Sequence, residues 1–181
     1  MNNKRKIFIG SRKSNLAIEQ ASLVKKKLKE VGLSSLFVKS ITSRGDKVSY
    51  KNFKLEGGKG LFTKDIDDLL INKKIDLAVH SAKDIPANID KRITIAAFLK
   101  REDVRDVLVT RDKNNNNIMQ LNGDMRFGSS SPRRINYLKN LFPNLKIKNL
   151  RGNIESRIKK IQEKKLDGTL LAYAGIKRLK L

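Results

Sequence analysis

The run Gly128-Ser129-Ser130-Ser131-Pro132-Arg133-Arg134 gathers anion-binding chemistry into one short stretch. Ser131 followed by Pro132 reads as a helix start, with a serine cap and a proline whose missing N–H is not needed at the first helical position. Free backbone N–H groups at such a start favour anions, and three hydroxyls and two guanidiniums surround it. Cations in a first turn oppose the helix dipole, so they are locally unfavourable until an anion joins them. A second run, Leu150-Arg151-Gly152-Asn153-Ile154-Glu155-Ser156-Arg157, adds Arg151 and Arg157 around another helix start capped by Asn153.

Three further segments lie in the first half of the chain. Gly10-Ser11-Arg12-Lys13-Ser14 occupies a strand-to-helix turn. It reads either as an anion site, with free backbone N–H groups and Arg12 clamping a carboxylate, or as an ordinary capped helix beside a solvated arginine. Gly57-Gly58-Lys59-Gly60-Leu61-Phe62-Thr63-Lys64 looks like a phosphate loop but fails the Walker A pattern. Gly60 stands where Ser or Thr must follow the lysine, which leaves a glycine-rich lid carrying Lys59 or a plain loop. Asp76 to Pro86 brings Ser81, Lys83 and Asp84 to the end of a strand, where open α/β sheets bind ligands. Lys83 and Asp84 read as a surface ion pair, or Asp84 as a carboxylate set among cations to stabilise a substrate cation. His80 reads as a ligand or base, or, as is more usual for a lone histidine ending an apolar strand, as a satisfied structural residue.

These segments need elements to hold them. Apolar spacing predicts a strand at 6–10, a helix capped by Ser14 and stopped by Gly32, and a strand at 36–42. It then predicts a helix capped by Thr63 and strands at 75–80 and 93–98. Beyond a charged crossover at 99–106 come a strand at 107–110, an asparagine loop at 114–117, the helix from Pro132 and a strand at 146–150. A helix carrying Ile154, Ile158 and Ile161 and a strand at 169–172 complete the pattern. Strands alternating with helices of this length predict an α/β fold in two lobes, residues 1–100 and 101–181. No repeat is visible in the sequence.

Composition narrows the chemistry. The 181 residues contain no cysteine and one histidine, so disulfides, thiolate sites and multi-histidine metal sites fall away, and no metal is expected. No apolar run approaches a membrane span, and the basic N-terminus has too short an apolar stretch for a signal peptide, so a cytoplasmic protein away from membranes is expected. The net charge of +23 is spread evenly, about +12 before residue 101 and about +11 after it. Lys, Asn and Ile, all with A/T-rich codons, make up much of the chain. Aromatics are 6% and tryptophan is absent, which argues against a nucleic-acid partner. A site for small polyanions accounts for the arginines.

Together the motifs resemble the porphobilinogen deaminase (hydroxymethylbilane synthase) family. The matching segments are Ile9–Ala17, Arg44-Gly45-Asp46, Gly57–Phe62, Ala78–Pro86, Arg101–Asp106, Gly128–Arg134, Leu150–Asn153 and Ala174–Leu179, in order along the chain. The resemblance implies two lobes like type II periplasmic binding proteins, with a return segment and third domain absent from this chain. It implies head-to-tail condensation of four porphobilinogen units, with release of ammonia, on a dipyrromethane cofactor. It implies Asp84 as catalytic carboxylate. It also implies Arg12, Ser14, Lys59, Ser81, Lys83, Ser129, Ser130, Ser131, Arg133, Arg134, Arg151, Arg157 and Arg178 as cofactor or substrate contacts. Partners would be porphobilinogen and oligopyrrole polycarboxylates, and the protein a monomer. The family's attachment cysteine has no counterpart here, so the chain alone is expected to be inactive. Leu55 stands where the family commonly has a lysine, and Pro132 where it has an apolar residue. The rival is a non-catalytic polyanion-binding module of the same fold.

Overall fold

A strand entering a helix through an extended serine sets up the first part of the chain. The computed structural model describes residues 5–43, 60, 62–112 and 117–181. The chain divides into two compact units, Met1–Lys100 and Arg101–Leu181. In the first, β1 (Ile7–Arg12) runs into α1 (Asn15–Glu30) and then β2 (Leu36–Ile41). Ser14 is extended and its hydroxyl accepts from the Ala17 N–H at 3.4 Å. Gly32 takes φ +93°, so the Leu33 N–H reaches the Leu28 carbonyl and the Gly32 N–H reaches that of Lys29. That paired turn closes the helix as the glycine predicts. α1 buries Ala21 against Ile9 and Leu36, with Leu28 packed beside them.

α2 (Lys64–Ile71) precedes β3 (Leu77–Ala78), and the three strands form a parallel sheet in the order β2-β1-β3. A Cβ on Gly10 would run into Ile75 and press on Ile41 and Ile66 at 3.3 Å, so a side chain there would push apart the strand and the residues packed on it. The predicted strand at 75–80 shrinks to two residues because the chain leaves the sheet for a 3₁₀ turn at Ala82–Asp84. The predicted strand at 93–98 does not form. Among the described residues no strand lies beside it to complete a ladder, and Phe98 is 72% exposed. Thr63 starts α2 but makes no capping hydrogen bond, because its backbone is already near-helical and its hydroxyl is buried.

The second unit contains β4 (Asp106–Thr110), β5 (Arg126–Gly128), α3 (Pro132–Leu141) and β6 (Lys146–Lys148). α4 (Ile154–Gln162), β7 (Gly168–Ala172) and α5 (Tyr173–Leu179) follow. The sheet order is β4-β7-β5-β6, with β4 antiparallel to β7 and the other pairs parallel. Phe127 lies fully buried among Leu121, Leu138, Leu145 and Leu170, and a second cluster joins Leu150, Ile161 and Leu166. The asparagine loop lies mostly outside the described residues, but Asn117 caps a 3₁₀ turn at Ile118–Gln120.

Both units share one connectivity. A first strand (β1 or β5) sits centrally, the next (β2 or β6) lies on one side and the third (β3 or β7) on the other. Strand order reverses at β1 and at β5, and the carboxyl ends there are where open α/β sheets take ligands. Arg12 ends β1, Ser81 to Asp84 follow β3, Ser129 to Arg134 follow β5, and Arg151 to Arg157 follow β6. Among the described residues no helix is long and apolar enough to cross a membrane.

Candidate active site

The second unit builds an anion cradle. Ser129 is buried and its hydroxyl accepts from the Ser131 N–H at 3.3 Å. The Ser130 hydroxyl lies 2.7 Å from the Leu150 carbonyl and also contacts Asn149 Oδ1. With one proton it donates to one of them at a time, and it ties the loop after β5 to the loop after β6. Ser131 is extended at the head of α3, but its hydroxyl makes no capping bond. Asn153 caps α4, accepting from the Ser156 N–H at 2.8 Å. Gly152, at φ +114°, bends the chain so that its carbonyl accepts from Arg157 Nε at 2.8 Å.

Three guanidiniums crowd this cradle. Burial holds Arg157 below its usual range, and the charges of Arg134 and Arg151 push it the same way. Arg134 is 14% exposed and forms a fork on Asp106, with Nε at 2.9 Å and Nη2 at 2.6 Å. Those hydrogen bonds are the main reason the Asp106 carboxyl sits below its ordinary range. Arg133 is 81% exposed and only 3.6 Å from the same carboxylate. The sequence reading missed Asp106 as a partner, although it named the segment that contains it. Arg178 lies toward Glu102, helping to hold that carboxyl low after the larger effect of Lys177, and its buried Nε has no hydrogen-bond partner.

The first unit offers one carboxylate in a different setting. Ser81 ends the run after β3 and accepts from Gln20 Nε2 at 2.9 Å, which anchors the 3₁₀ turn to α1. Gln20 lies on the helix that Ser14 caps; only its helical distance from Ser14 could have flagged it. Lys83 is exposed and Asp84 half-buried, and no ion pair joins them, so the surface-pair reading of Asp84 is not what the fold shows. Arg12 stacks its guanidinium 4.1 Å from the centre of the Phe62 ring. Lys59, Arg44-Gly45-Asp46 and Leu55 lie outside the described residues.

The first unit thus carries a half-buried carboxylate after β3, and the second carries guanidiniums around the starts of α3 and α4. The family model described as porphobilinogen deaminase, dipyromethane cofactor binding domain, matches residues 7–181. The porphobilinogen deaminase of Rickettsia prowazekii (strain Madrid E) is 46% identical over 175 residues, covering 96% of this chain and 58% of that protein. That of Caldicellulosiruptor saccharolyticus is 43% identical over 178 residues, covering 98% and 60%. The chain belongs to the porphobilinogen deaminase family and spans less than two thirds of the length of these relatives. Among solved structures, an ancestral arginine-binding protein bound to glutamine aligns at TM-score 0.44 and 14% identity, covering 97% of this chain and 72% of that one. The L-cystine solute receptor of Neisseria gonorrhoeae in its unliganded open conformation aligns at 0.45 and 14%, covering 99% and 70%.

Proposed function

We propose that this chain is the substrate- and cofactor-handling part of a cytoplasmic, monomeric hydroxymethylbilane synthase. That enzyme condenses four porphobilinogen units head to tail and releases ammonia. The observation that carries the reading is the gathering of Arg134, Arg151 and Arg157: burial holds Arg157 below its usual range, and the charges of the other two push it the same way. Each porphobilinogen ring bears an acetate and a propionate, so a growing oligopyrrole is a polyanion that relieves this like-charge crowding.

The residues present fit a dipyrromethane. Its carboxylates suit the guanidiniums of Arg134, Arg151 and Arg157, the backbone N–H groups at the head of α3, and the hydroxyls of Ser129 and Ser131. When bound, it supplies the pyrrole on which the chain of rings begins. The residues of these 181 positions, none of them cysteine, would hold this group by ion pairs and hydrogen bonds. In the first unit, Asp84 offsets the positive charge left on a substrate ring as ammonia departs, and it directs the pyrrole N–H. Arg12, braced on Phe62, takes a substrate carboxylate. Ser81, fixed by Gln20, keeps the turn that carries Lys83 and Asp84 in place. Arg133, at the rim of α3, serves ligand entry, and Ser130 fixes loop geometry.

Thermal denaturation tests the reading. Porphobilinogen should raise the melting temperature saturably, and a neutral pyrrole of similar size should not. Intact mass should show no covalent dipyrromethane, and the isolated chain should form no hydroxymethylbilane. Stabilisation by any small dicarboxylate to the same extent would favour a polyanion-binding module without catalysis.

A further inference from the structure

Side chains hold the backbone of the loop after β6. The Leu150 carbonyl lies 2.7 Å from the Ser130 hydroxyl, the Arg151 carbonyl accepts from Lys160 Nζ at 3.1 Å, and the Gly152 carbonyl accepts from Arg157 Nε at 2.8 Å. Among the described residues no backbone N–H donates to any of these carbonyls. Arg157 and Lys160 share a face of α4, and helical side chains lean toward the N-terminus, which carries both head groups back to the loop. Lys160 is half-buried, and among the described residues it has no ion pair. Its neighbour Lys159 is 73% exposed and lies 3.8 Å from Glu163. Drawing an ammonium partly out of water toward a neutral oxygen is unfavourable for the lysine itself, so the contact serves the loop. The carbonyls of Leu150 and Arg151 belong to the two peptide planes that flank the Arg151 Cα. Fixing both planes sets φ and ψ of Arg151, and with them the direction in which its side chain leaves the backbone.

We propose that Lys160 is a positioning residue for Arg151: its ammonium holds the Arg151 carbonyl against α4 and so fixes the direction in which the Arg151 guanidinium meets a ligand carboxylate. The inference rests on the reading of Arg151 as a dipyrromethane contact. Ser130 holds the plane before the Arg151 Cα and Lys160 the plane after it, while Arg157 holds the next one, beyond Gly152. A loop ordered in advance loses less freedom when the ligand binds, which is how a residue that touches no ligand raises affinity.

Lys159 supplies the control, because Lys159→Gln removes the same charge one residue away without touching the loop. Calorimetric binding of a dipyrromethane bearing two acetates and two propionates should weaken by roughly three- to tenfold in Lys160→Gln. It should change by less than about twofold in Lys159→Gln, and Lys160→Gln should add less than about twofold once Arg151→Ala is present. Undiminished binding in Lys160→Gln, an equal loss in Lys159→Gln, or the same loss with and without Arg151 would overturn the inference. NMR relaxation tests the loop without a ligand. The ¹⁵N order parameters of Gly152 and Asn153 should match those of α4, at about 0.85, and fall in Lys160→Gln but not in Lys159→Gln. Wild-type values below about 0.6, or values that Lys160→Gln leaves unchanged, would overturn the holding role whatever the ligand does. Should Lys160→Gln not fold, the order of the wild-type loop decides. Absence of dipyrromethane binding by the wild type would overturn the functional reading, and the ligand half of this inference with it.

Discussion

The two units place their central strands, β1 and β5, alike and furnish the switch points differently. At the end of β1 the first unit sets one arginine against an aromatic ring, and after β3 it sets one half-buried carboxylate. After β5 and β6 the second unit sets three arginines within electrostatic reach of one another, and Asp106 pairs with one of them, Arg134. On the proposed reading, the first arrangement meets a developing positive charge and the second a ligand that arrives negative. One topology supports both because the strand ends fix only where a ligand goes, and the side chains there decide its charge.

The cores differ too, and the largest expected effect tests whether they are separate. Phe127 is fully buried at the centre of the second unit, and Phe127→Ala should cost about 3–5 kcal/mol. Hydrogen exchange should show protection lost in residues 101–181 and kept around Ile9, Ala21 and Leu36. Loss across both units would merge them into one cooperative body.

Arg134→Ala should cost about 1–2 kcal/mol, because it removes two charged hydrogen bonds from a carboxylate that keeps access to water. The pH dependence has a definite sign. Asp106 is lowered in the fold chiefly by Arg134, so its contribution is present above the unfolded value and lost as pH falls through the folded one. Acid unfolding of Arg134→Ala should therefore lack that share of the loss. His80 behaves differently in cause and window. Its folded pKa is lowered by burial, so stability falls as pH drops from the unfolded value toward the folded one, and His80→Gln should flatten that step.

Smaller effects compare how each unit holds its helix starts. Asn153→Ala should cost about 1 kcal/mol in urea unfolding, since its cap bond is short. Ser14→Ala should cost less, because its bond is 3.4 Å. Arg12→Lys keeps the charge and loses the planar stack on Phe62, for about 0.5–1 kcal/mol. An equal or larger cost for Arg12→Lys than for Arg134→Ala would reverse the assignment of the more structural arginine to the second unit.

The helix starts were legible because their signals are local. Ser14, Gly32, Pro132 and Asn153 each act through backbone geometry within a few residues. The serines and arginines beside those starts were placed on the right elements for the same reason. β5 was not, because Arg-Phe-Gly is too short to show a period and is defined by its neighbours β6 and β7. Residues 93–98 failed the other way: their alternation looks like a strand, but a strand requires a partner. Asp106 against Arg134 and Asp67 against His80 are long-range pairings, invisible until the chain brings them together. The shared connectivity of the units was hidden too, because topology repeats here without sequence repeating.

The central division of labour is tested most directly by calorimetric titration of a dipyrromethane bearing two acetates and two propionates into the wild-type chain, Arg151→Ala/Arg157→Ala and Asp84→Asn. The account predicts saturable binding that weakens with salt, falls by at least about tenfold in the double arginine variant and survives in Asp84→Asn. Undiminished binding without the two arginines, or binding that disappears with the Asp84 charge, would contradict it.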